Sequence, residues 1–193
     1  MSIQLDFNQK SDAELVKLAL SKPDNFLYIM KRYEKPLFYY IRRISSFDPE
    51  DCEDILQDVF IKVYRNLNGF DTKLKFSSWI YRITHNEVIS KFRKSKARPQ
   101  TVTSEVSEEI LDFIKADINF EKEIDNKKLR EMINAVLLEM DIKYRDVMVL
   151  RYFEEKNYKE ISDILRKPEG TVGTLLNRAK KQFNKIYHKK YEQ

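Results

Sequence analysis

Residues 157–178 read NYKEISDILRKPEGTVGTLLNR, and this stretch decides the fold class. Asn157 is a residue type that caps helix N-termini, since its side chain can accept a free amide of the first turn. Ile161, Ile164 and Leu165 follow at spacings of three and four, which line one helical face. Arg166-Lys167-Pro168 interrupts that pattern, and a second helix is expected from about Glu169 to Tyr187. Tyr158 and Lys159 open the first helix, while Thr171, Thr174, Asn177, Arg178 and Lys181 populate the outer side of the second. Two helices joined by a tight turn predict a helix-turn-helix, with side chains on its outer face suited to bases or phosphates. The same spacing also fits an ordinary hairpin in a helical bundle.

Outward from this element the chain stays helical. Leu129, Ile133, Val136, Leu137 and Met140, then Val147, Met148, Leu150 and Phe153, carry helical periodicity from Asp125 onward. Residues 99–124 break it: they are rich in Ser, Thr, Glu and Asp, with a short helix expected at most around Ile110, Leu111 and Ile114. Before them lies another helical set. Ser11 and Glu14 form a capping box ahead of Leu15, Leu18 and Ala19. Phe26, Ile29, Met30, Tyr33, Leu37, Tyr40, Ile41 and Ile44 form one apolar stripe, with a kink expected at Pro36. Asp48-Pro49 is an N-cap with proline at the first helical position, and Ile55, Leu56, Val59, Phe60, Val63, Tyr64 and Leu67 follow as a buried face. Turn formers at 68–73 predict a loop of about ten residues. Ser77 is then expected to cap a helix that carries Trp79, Ile80 and Ile83 inward and ends by Pro99. No sustained alternation calls for a sheet. The expected fold is all-α: a first helical domain over 1–98, an acidic linker over 99–124, and a second domain over 125–193 containing the helix-turn-helix.

Charge follows the same partition. Residues 26–98 carry 15 Lys/Arg and 9 Asp/Glu, a balance of +6; residues 143–190 carry 13 and 6, or +7; residues 99–125 carry 2 and 8, or −6. Two basic modules flanking an acidic connector predict a polyanionic partner for each, nucleic acid first, with the modules kept from sticking to one another non-specifically. Three glycines cannot build a P-loop or a dinucleotide fingerprint. One cysteine, Cys52, and two histidines, His85 and His188, leave no disulfide and no Cys/His zinc site. No cofactor or metal is expected. The absence of an 18-residue apolar run, of a signal-like N-terminus and of paired cysteines predicts no membrane insertion and a cytoplasmic location.

Two further constellations stand out in the first domain. Glu53, Asp54, Gln57 and Asp58 fall opposite the apolar stripe of their helix, as neighbouring i, i+4 pairs. A solvated face, a carboxylate site and a dock for a basic partner all fit that pattern. Arg82, Asn86 and Arg93 project from one side of the following helix, and the run Lys91, Arg93, Lys94, Lys96 and Arg98 extends a positive edge. Such an edge suits phosphates, and Asn can read a base edge; a solvated helix end is the plainer alternative. The loop Asn68–Phe76, with Phe70, Asp71, Thr72 and Lys73, has an aromatic and polar groups suited to an unstacked base.

These residues carry a resemblance covering nearly the whole chain. The stretch DCEDILQDVF at 51–60 resembles the polymerase-binding helix of bacterial RNA polymerase sigma factors of the extracytoplasmic-function group. FSSWIYRITHN at 76–86 is similar to that group's minus-10 promoter helix, and RYFEEKNYKEI at 151–161 with PEGTV at 168–172 to its minus-35 helix-turn-helix. The resemblance implies a transcription initiation factor without catalytic residues of its own. Asp51, Glu53, Asp54, Gln57 and Asp58 would meet a basic coiled coil of core RNA polymerase. Asn68, Phe70, Asp71, Thr72, Lys73, Trp79, Arg82, Asn86, Lys91, Arg93 and Lys94 would bind minus-10 promoter DNA, the loop capturing a flipped base. Tyr158, Lys159, Thr171, Thr174, Asn177, Arg178 and Lys181 would bind the minus-35 element. An anti-sigma factor is a usual partner in the group. The sequence departs from the group's pattern at Arg166, where glycine is frequent, at Lys167, commonly apolar, and at Gly173 and Leu175, where basic residues are frequent. The alternative is a helical adaptor or sigma mimic that binds polymerase without reading promoters.

Overall fold

The computed structural model describes residues 7–94 and 126–191; the expected acidic linker, its short helix near Ile110, and Lys96, Arg98 and Pro99 lie outside them. Every regular element among the described residues is helical. The first module comprises α1 (Asp12–Ser21), α2 (Phe26–Ile44), α3 (Pro49–Asn66) and α4 (Phe76–Lys94). The second comprises α5 (Asn126–Glu139), α6 (Ile142–Met148), which passes into a wider turn at Val149–Phe153, then α7 (Tyr158–Leu165) and α8 (Glu169–Tyr191).

The caps are those the local chemistry demands. Ser11 and Glu14 exchange bonds, with Ser11 Oγ accepting the Glu14 amide and Glu14 accepting the Ser11 amide at 2.8 Å. Asp48 accepts the Asp51 amide at 2.8 Å, ahead of Pro49 at the start of α3. α2 continues through Pro36. Asn157 and Glu160 form a reciprocal box at the start of α7, both bonds 2.9 Å. Ser77, expected as a cap, lies inside α4: the Trp79 amide donates to the Lys75 carbonyl at 3.1 Å, so the helix begins at Phe76. Buried Phe76, packed on Tyr33 and Trp79, pins that earlier start. α8 runs to Tyr191, past the expected end at Tyr187, and buries both Phe183 and Tyr187.

Tyr33, Leu37, Tyr40, Ile41 and Ile44 of α2 pack with Ile55, Val59 and Val63 of α3 and Ile80 and Val88 of α4. In the second module α8 packs on α5, α6 and α7 through Val172, Leu176, Ala179 and Phe183. Burying such side chains contributes about 1.5–3 kcal/mol each before the entropy of ordering is subtracted. Met30 and Tyr64 depart from the expected stripes, at 37% and 48% exposed. Their helices show more apolar arc than the module's own core can cover.

The two modules are in specific contact. α7 packs along α4, and α2 touches α5 and α6. Net charge does not predict this, because individual acids of the second module meet individual bases of the first.

Candidate functional site

α2 and α3 pack side by side and leave a groove of about 1250 Å³ between them. Phe26 and Phe60 lie at its floor, with Phe26 edge-on to Tyr64 at 5.2 Å. Its walls include Leu27 and Ile61, both 47% exposed, together with Met30 and Tyr64. Its rim is charged: Lys31, Glu34 and Lys35 from α2, Glu53 and Arg65 from α3. Glu53 and Gln57 line the groove, and exposed Asp54 and Asp58 continue the acidic face beside them. Asp51 instead pairs with Lys91 of α4 at 2.8 Å, and that bond raises the Lys91 ammonium above its ordinary value. A residue expected to meet polymerase and one expected to meet DNA are thus partners. Four or more apolar side chains exposed along one groove, with charges at the edges, form the kind of surface that another helix covers.

The loop before α4 is organised by its own side chains. Asp71 accepts the Lys73 amide at 2.9 Å, a turn typical of aspartate. Phe70 lies 5.4 Å from Phe76 and 5.0 Å from Trp79, ring to ring. Trp79 is buried within this aromatic cluster, while Asn68, Asp71, Thr72 and Lys73 are exposed around it. Along α4, Asn86, Arg93 and Lys94 are exposed, and Arg82 is partly buried near Asp163 and Arg166.

In the helix-turn-helix, Tyr158, Lys159, Thr171, Thr174, Asn177, Arg178 and Lys181 are all exposed. Thr174 Oγ1 donates to the Gly170 carbonyl at 3.0 Å, a back-bond along its own helix. Arg166 sits in the left-handed region at φ 51°, ψ 49°. That conformation costs about 1–2 kcal/mol for a residue with a Cβ. The turn holds it through the Lys167 amide donating to Ser162 O at 3.1 Å and Ser162 Oγ donating to Lys167 O at 2.6 Å. A Cβ on Gly173 would meet Tyr158 at 3.6 Å, ordinary contact, so a side chain fits there. Leu175 packs against the core.

Between the modules lies a buried polar seam. Arg43 of α2 meets Glu154 at 3.1 Å, with 9% and 6% of their side chains exposed. Tyr81 of α4 donates to the other oxygen of Glu154 at 2.5 Å. Burial pushes the Glu154 carboxyl above its ordinary value, while Arg43 and Tyr81 pull it back. Arg43 also stacks on Phe153 at 4.9 Å, and Lys156 lies 4.6 Å over Tyr81. Further along, Arg145 donates to the Ile44 carbonyl at 3.4 Å, His85 Nδ1 stands 3.9 Å from Asp146, and Lys75 pairs with Glu160 at 3.1 Å.

Two groups of residues escaped the sequence reading. The α2 wall of the groove was hidden because Met30 fits the same spacing as the core stripe; the available signal was four apolar residues in five positions, Phe26, Leu27, Ile29 and Met30. Arg43, Tyr81 and Glu154 carry no local signal, since the Arg43–Glu154 pair is separated by 111 residues. Among the described residues no cluster fit to hold a metal occurs, and no helix is long and apolar enough to cross a membrane.

Comparison with known proteins falls on the same two modules. The family model for Sigma-70 region 2 matches residues 29–98, and that for Sigma-70, region 4 matches residues 130–183. The ECF RNA polymerase sigma factor SigW of Bacillus subtilis (strain 168) is 33% identical over 166 residues, covering 84% of this chain and 88% of that protein. The ECF RNA polymerase sigma-E factor of Escherichia coli (strain K12) is 31% identical over 157 residues, covering 74% and 78%. Among solved structures, CnrH in complex with the cytosolic domain of CnrY superposes with a TM-score of 0.70 at 19% identity, over 94% of this chain and 99% of that one. The sigma factor RpoE of Bartonella quintana, in complex with the anti-sigma factor NepR, gives 0.64 at 16% identity, over 84% and 96%. At those identities the structures speak to the all-α fold.

Proposed function

This chain belongs to the extracytoplasmic-function group of sigma-70 factors, and from that premise we propose how its surfaces divide the work of starting transcription. It is a promoter-recognising transcription initiation factor that acts with RNA polymerase. The observation that carries the division of labour is the open α2/α3 groove with its exposed acidic flank on α3, lined by residues other than the exposed cations and Asn86 of α4.

A basic, amphipathic helical element of core polymerase fits the groove. Its apolar side chains would cover Leu27, Met30, Ile61 and Tyr64, and its cations would meet Glu53, Asp54 and Asp58. Asp51 then acts indirectly, holding Lys91 in place. On α4, Arg82, Arg93 and Lys94 attract the phosphates of the minus-10 region, and Asn86 offers a donor and an acceptor to a base edge. The exposed loop residues Asn68, Asp71, Thr72 and Lys73 receive an unstacked base. Phe70 and Trp79 support that loop from below, so they shape the pocket unless the loop opens. The α8 side chains Thr171, Thr174, Asn177, Arg178 and Lys181, with Tyr158 and Lys159, face the minus-35 duplex. The domain limits proposed are 1–98 and 125–193, joined through 99–124. The protein performs no chemistry of its own in this reading and works in the cytoplasm. A partner of the anti-sigma class is proposed for it, because the similar sigma factor RpoE of Bartonella quintana is seen in complex with an anti-sigma factor.

Adding the protein to purified core polymerase tests the reading. Promoter-specific transcripts are the expected result. Tight binding to core with no promoter-specific transcript would replace it with the adaptor alternative.

A further inference from the structure

The loop ahead of α4 is fastened to the module through one ring. Its backbone bonds close locally: the Phe70 amide donates to the Leu67 carbonyl at 3.2 Å and the Leu74 amide to the Asp71 carbonyl at 3.0 Å. Among residues 68–75, Phe70 is the side chain that packs against the core, so the placing of exposed Asn68, Asp71, Thr72 and Lys73 falls to it. Phe70 meets Phe76 and Trp79, and Phe76 in turn stands edge-on to Tyr33 of α2 at 5.7 Å. Tilted and edge-on ring pairs at such distances are directional, so turning one ring displaces the next.

Tyr33 is held at its far end. Its hydroxyl donates to Asp12 Oδ2 at 2.5 Å, and Asp12 Oδ1 accepts from the Arg32 guanidinium at 2.9 Å. The second terminal nitrogen of that guanidinium donates to the Phe7 and Lys10 carbonyls at 3.0 and 2.6 Å, which ties the chain ahead of α1 onto α2. Burial and the adjacent carboxylate push the Tyr33 hydroxyl well above its ordinary value, so it stays protonated and donating. Packing alone would be served by phenylalanine at this position; the hydroxyl adds a charge-assisted bond that fixes the angle of the ring. Asp12 is the first residue of α1, and α1 also packs on the turn at Leu67–Gly69 where the loop begins. Asp12 and Tyr33 thus reach the loop by two routes, through Phe76 and Phe70 and through the packing of α1.

We propose that Asp12 and Tyr33 are positioning residues for minus-10 strand capture, their bond fixing the Tyr33 ring and with it the Phe76, Phe70 and Trp79 cluster on which the base-receiving loop rests. The inference depends on the base-capture reading above for its consequence, and on the ring contacts alone for its mechanics.

Trp79 is the one tryptophan of the chain, so its emission reports on the cluster without a competing indole. Tyr33→Phe keeps the buried ring and deletes the bond, Asp12→Ala removes the acceptor, and Asp12→Glu retains a carboxylate there. With helicity unchanged, Tyr33→Phe and Asp12→Ala should each raise acrylamide quenching of Trp79 about twofold, as the cluster loosens around it. The DNA probe is single-stranded DNA selected from a randomised pool on wild-type protein bound to core polymerase, and not retained by core alone. Both variants bound to core should hold that DNA about five- to tenfold more weakly, the loss expected for one charge-assisted bond, while their affinity for core stays at the wild-type level. Asp12→Glu should recover most of the affinity and the quenching together. A purely structural role would lower the melting temperature and leave affinity intact well below it. Should Tyr33→Phe lose helicity, the two substitutions of partly exposed Asp12 decide. Folded variants that bind the DNA as tightly as wild type, or Trp79 quenching that moves in none of them, overturn the positioning role. A pool from which the wild-type complex selects nothing, with Trp79 quenching raised as expected, supports the ring relay and overturns the base-capture reading instead.

Discussion

The α2/α3 groove belongs to the first module and the polar seam lies between that module and the second, and the two invert the usual rule of burial in opposite ways. The groove leaves Leu27, Met30, Ile61 and Tyr64 facing water, while the seam buries Arg43 and Glu154 almost completely. Exposed apolar surface of this kind is stabilised by an incoming partner, because covering it releases water without breaking anything in the module. Buried charge is tolerated only while both partners stay together. One surface waits to be covered; the other is already covered by its partner.

The sharpest break in that contrast is Ile61→Arg. Ile61 is exposed, so the module should fold with unchanged helicity, but a cation in the apolar wall should weaken binding to core polymerase about a hundredfold, as expected of a buried hot spot. A fluorescence titration with labelled core measures it, and full affinity would return the groove to mere surface. Reversing the acidic flank comes next. Asp54→Lys with Asp58→Lys should lower core affinity about tenfold at low salt, with the difference shrinking as salt rises, because exposed charges are screened. An unchanged affinity at low ionic strength would leave that face simply solvated.

On the seam, the contrast can be titrated. Burial pushes the Asp146 carboxyl up to about 7, with Arg145 and Lys167 opposing the shift, and pushes the His85 imidazole down to about 4, helped by Lys167. These groups face each other at 3.9 Å, with the Tyr40 hydroxyl 3.4 Å from His85. A raised carboxyl means the folded protein holds a proton the unfolded chain has lost, so the Asp146 contribution to stability falls as pH climbs from its ordinary 3.8 to about 7. A lowered imidazole means the unfolded chain holds the extra proton, so the His85 contribution grows as pH climbs from about 4 to 6.5. The two slopes oppose each other over that range, while the raised Glu154 carboxyl adds a fall of its own as pH climbs through the carboxylate range. Relative to wild type, Asp146→Asn should make stability rise more with pH between 5 and 6.5, and His85→Gln should make it fall more over the same interval, each by up to about tenfold in the folding constant per pH unit. Urea denaturation at several pH values checks both signs; matching slopes in the two variants would show that neither group titrates at the seam.

The smallest effect should come from Arg166→Gly. It relieves the left-handed backbone strain and removes a positive charge near Arg82, so the folded protein should gain about 1 kcal/mol, or about 2–4 °C in melting temperature for a chain of this size. Calorimetry measures it, and a lower melting temperature would mean that the Arg166 side chain contributes a contact outweighing its strain.

Much of this was legible before any tertiary structure. Ser11, Asp48 and Asn157 cap the helices they were expected to cap, because a side-chain oxygen two or three residues from a free amide needs no distant help. The short turn Arg166-Lys167-Pro168 was legible as a break in the pattern, while Arg166 as the position where glycine is frequent came from the resemblance to the sigma group. Ser77 misled because Phe76, drawn into the core beside Tyr33, moved the helix start by two residues. The acidic face of α3 was visible as an i, i+4 pattern, but periodicity treats every apolar stripe as core. It had no means of showing that Met30 and Tyr64 would be left outside.

What the sequence determined by itself, then, is the all-α class, the helix-turn-helix and the faces that carry charge. Those follow from forces acting over three or four residues of one chain segment. Only the tertiary structure decided which apolar residues remain uncovered and which charges become buried partners. Arg43 and Glu154 stand 111 residues apart, and nothing local to either distinguishes it from a solvated surface charge. Their meeting depends on how two completed modules pack, where the local match of opposite charges rather than the net charge of either surface sets which side chains become partners.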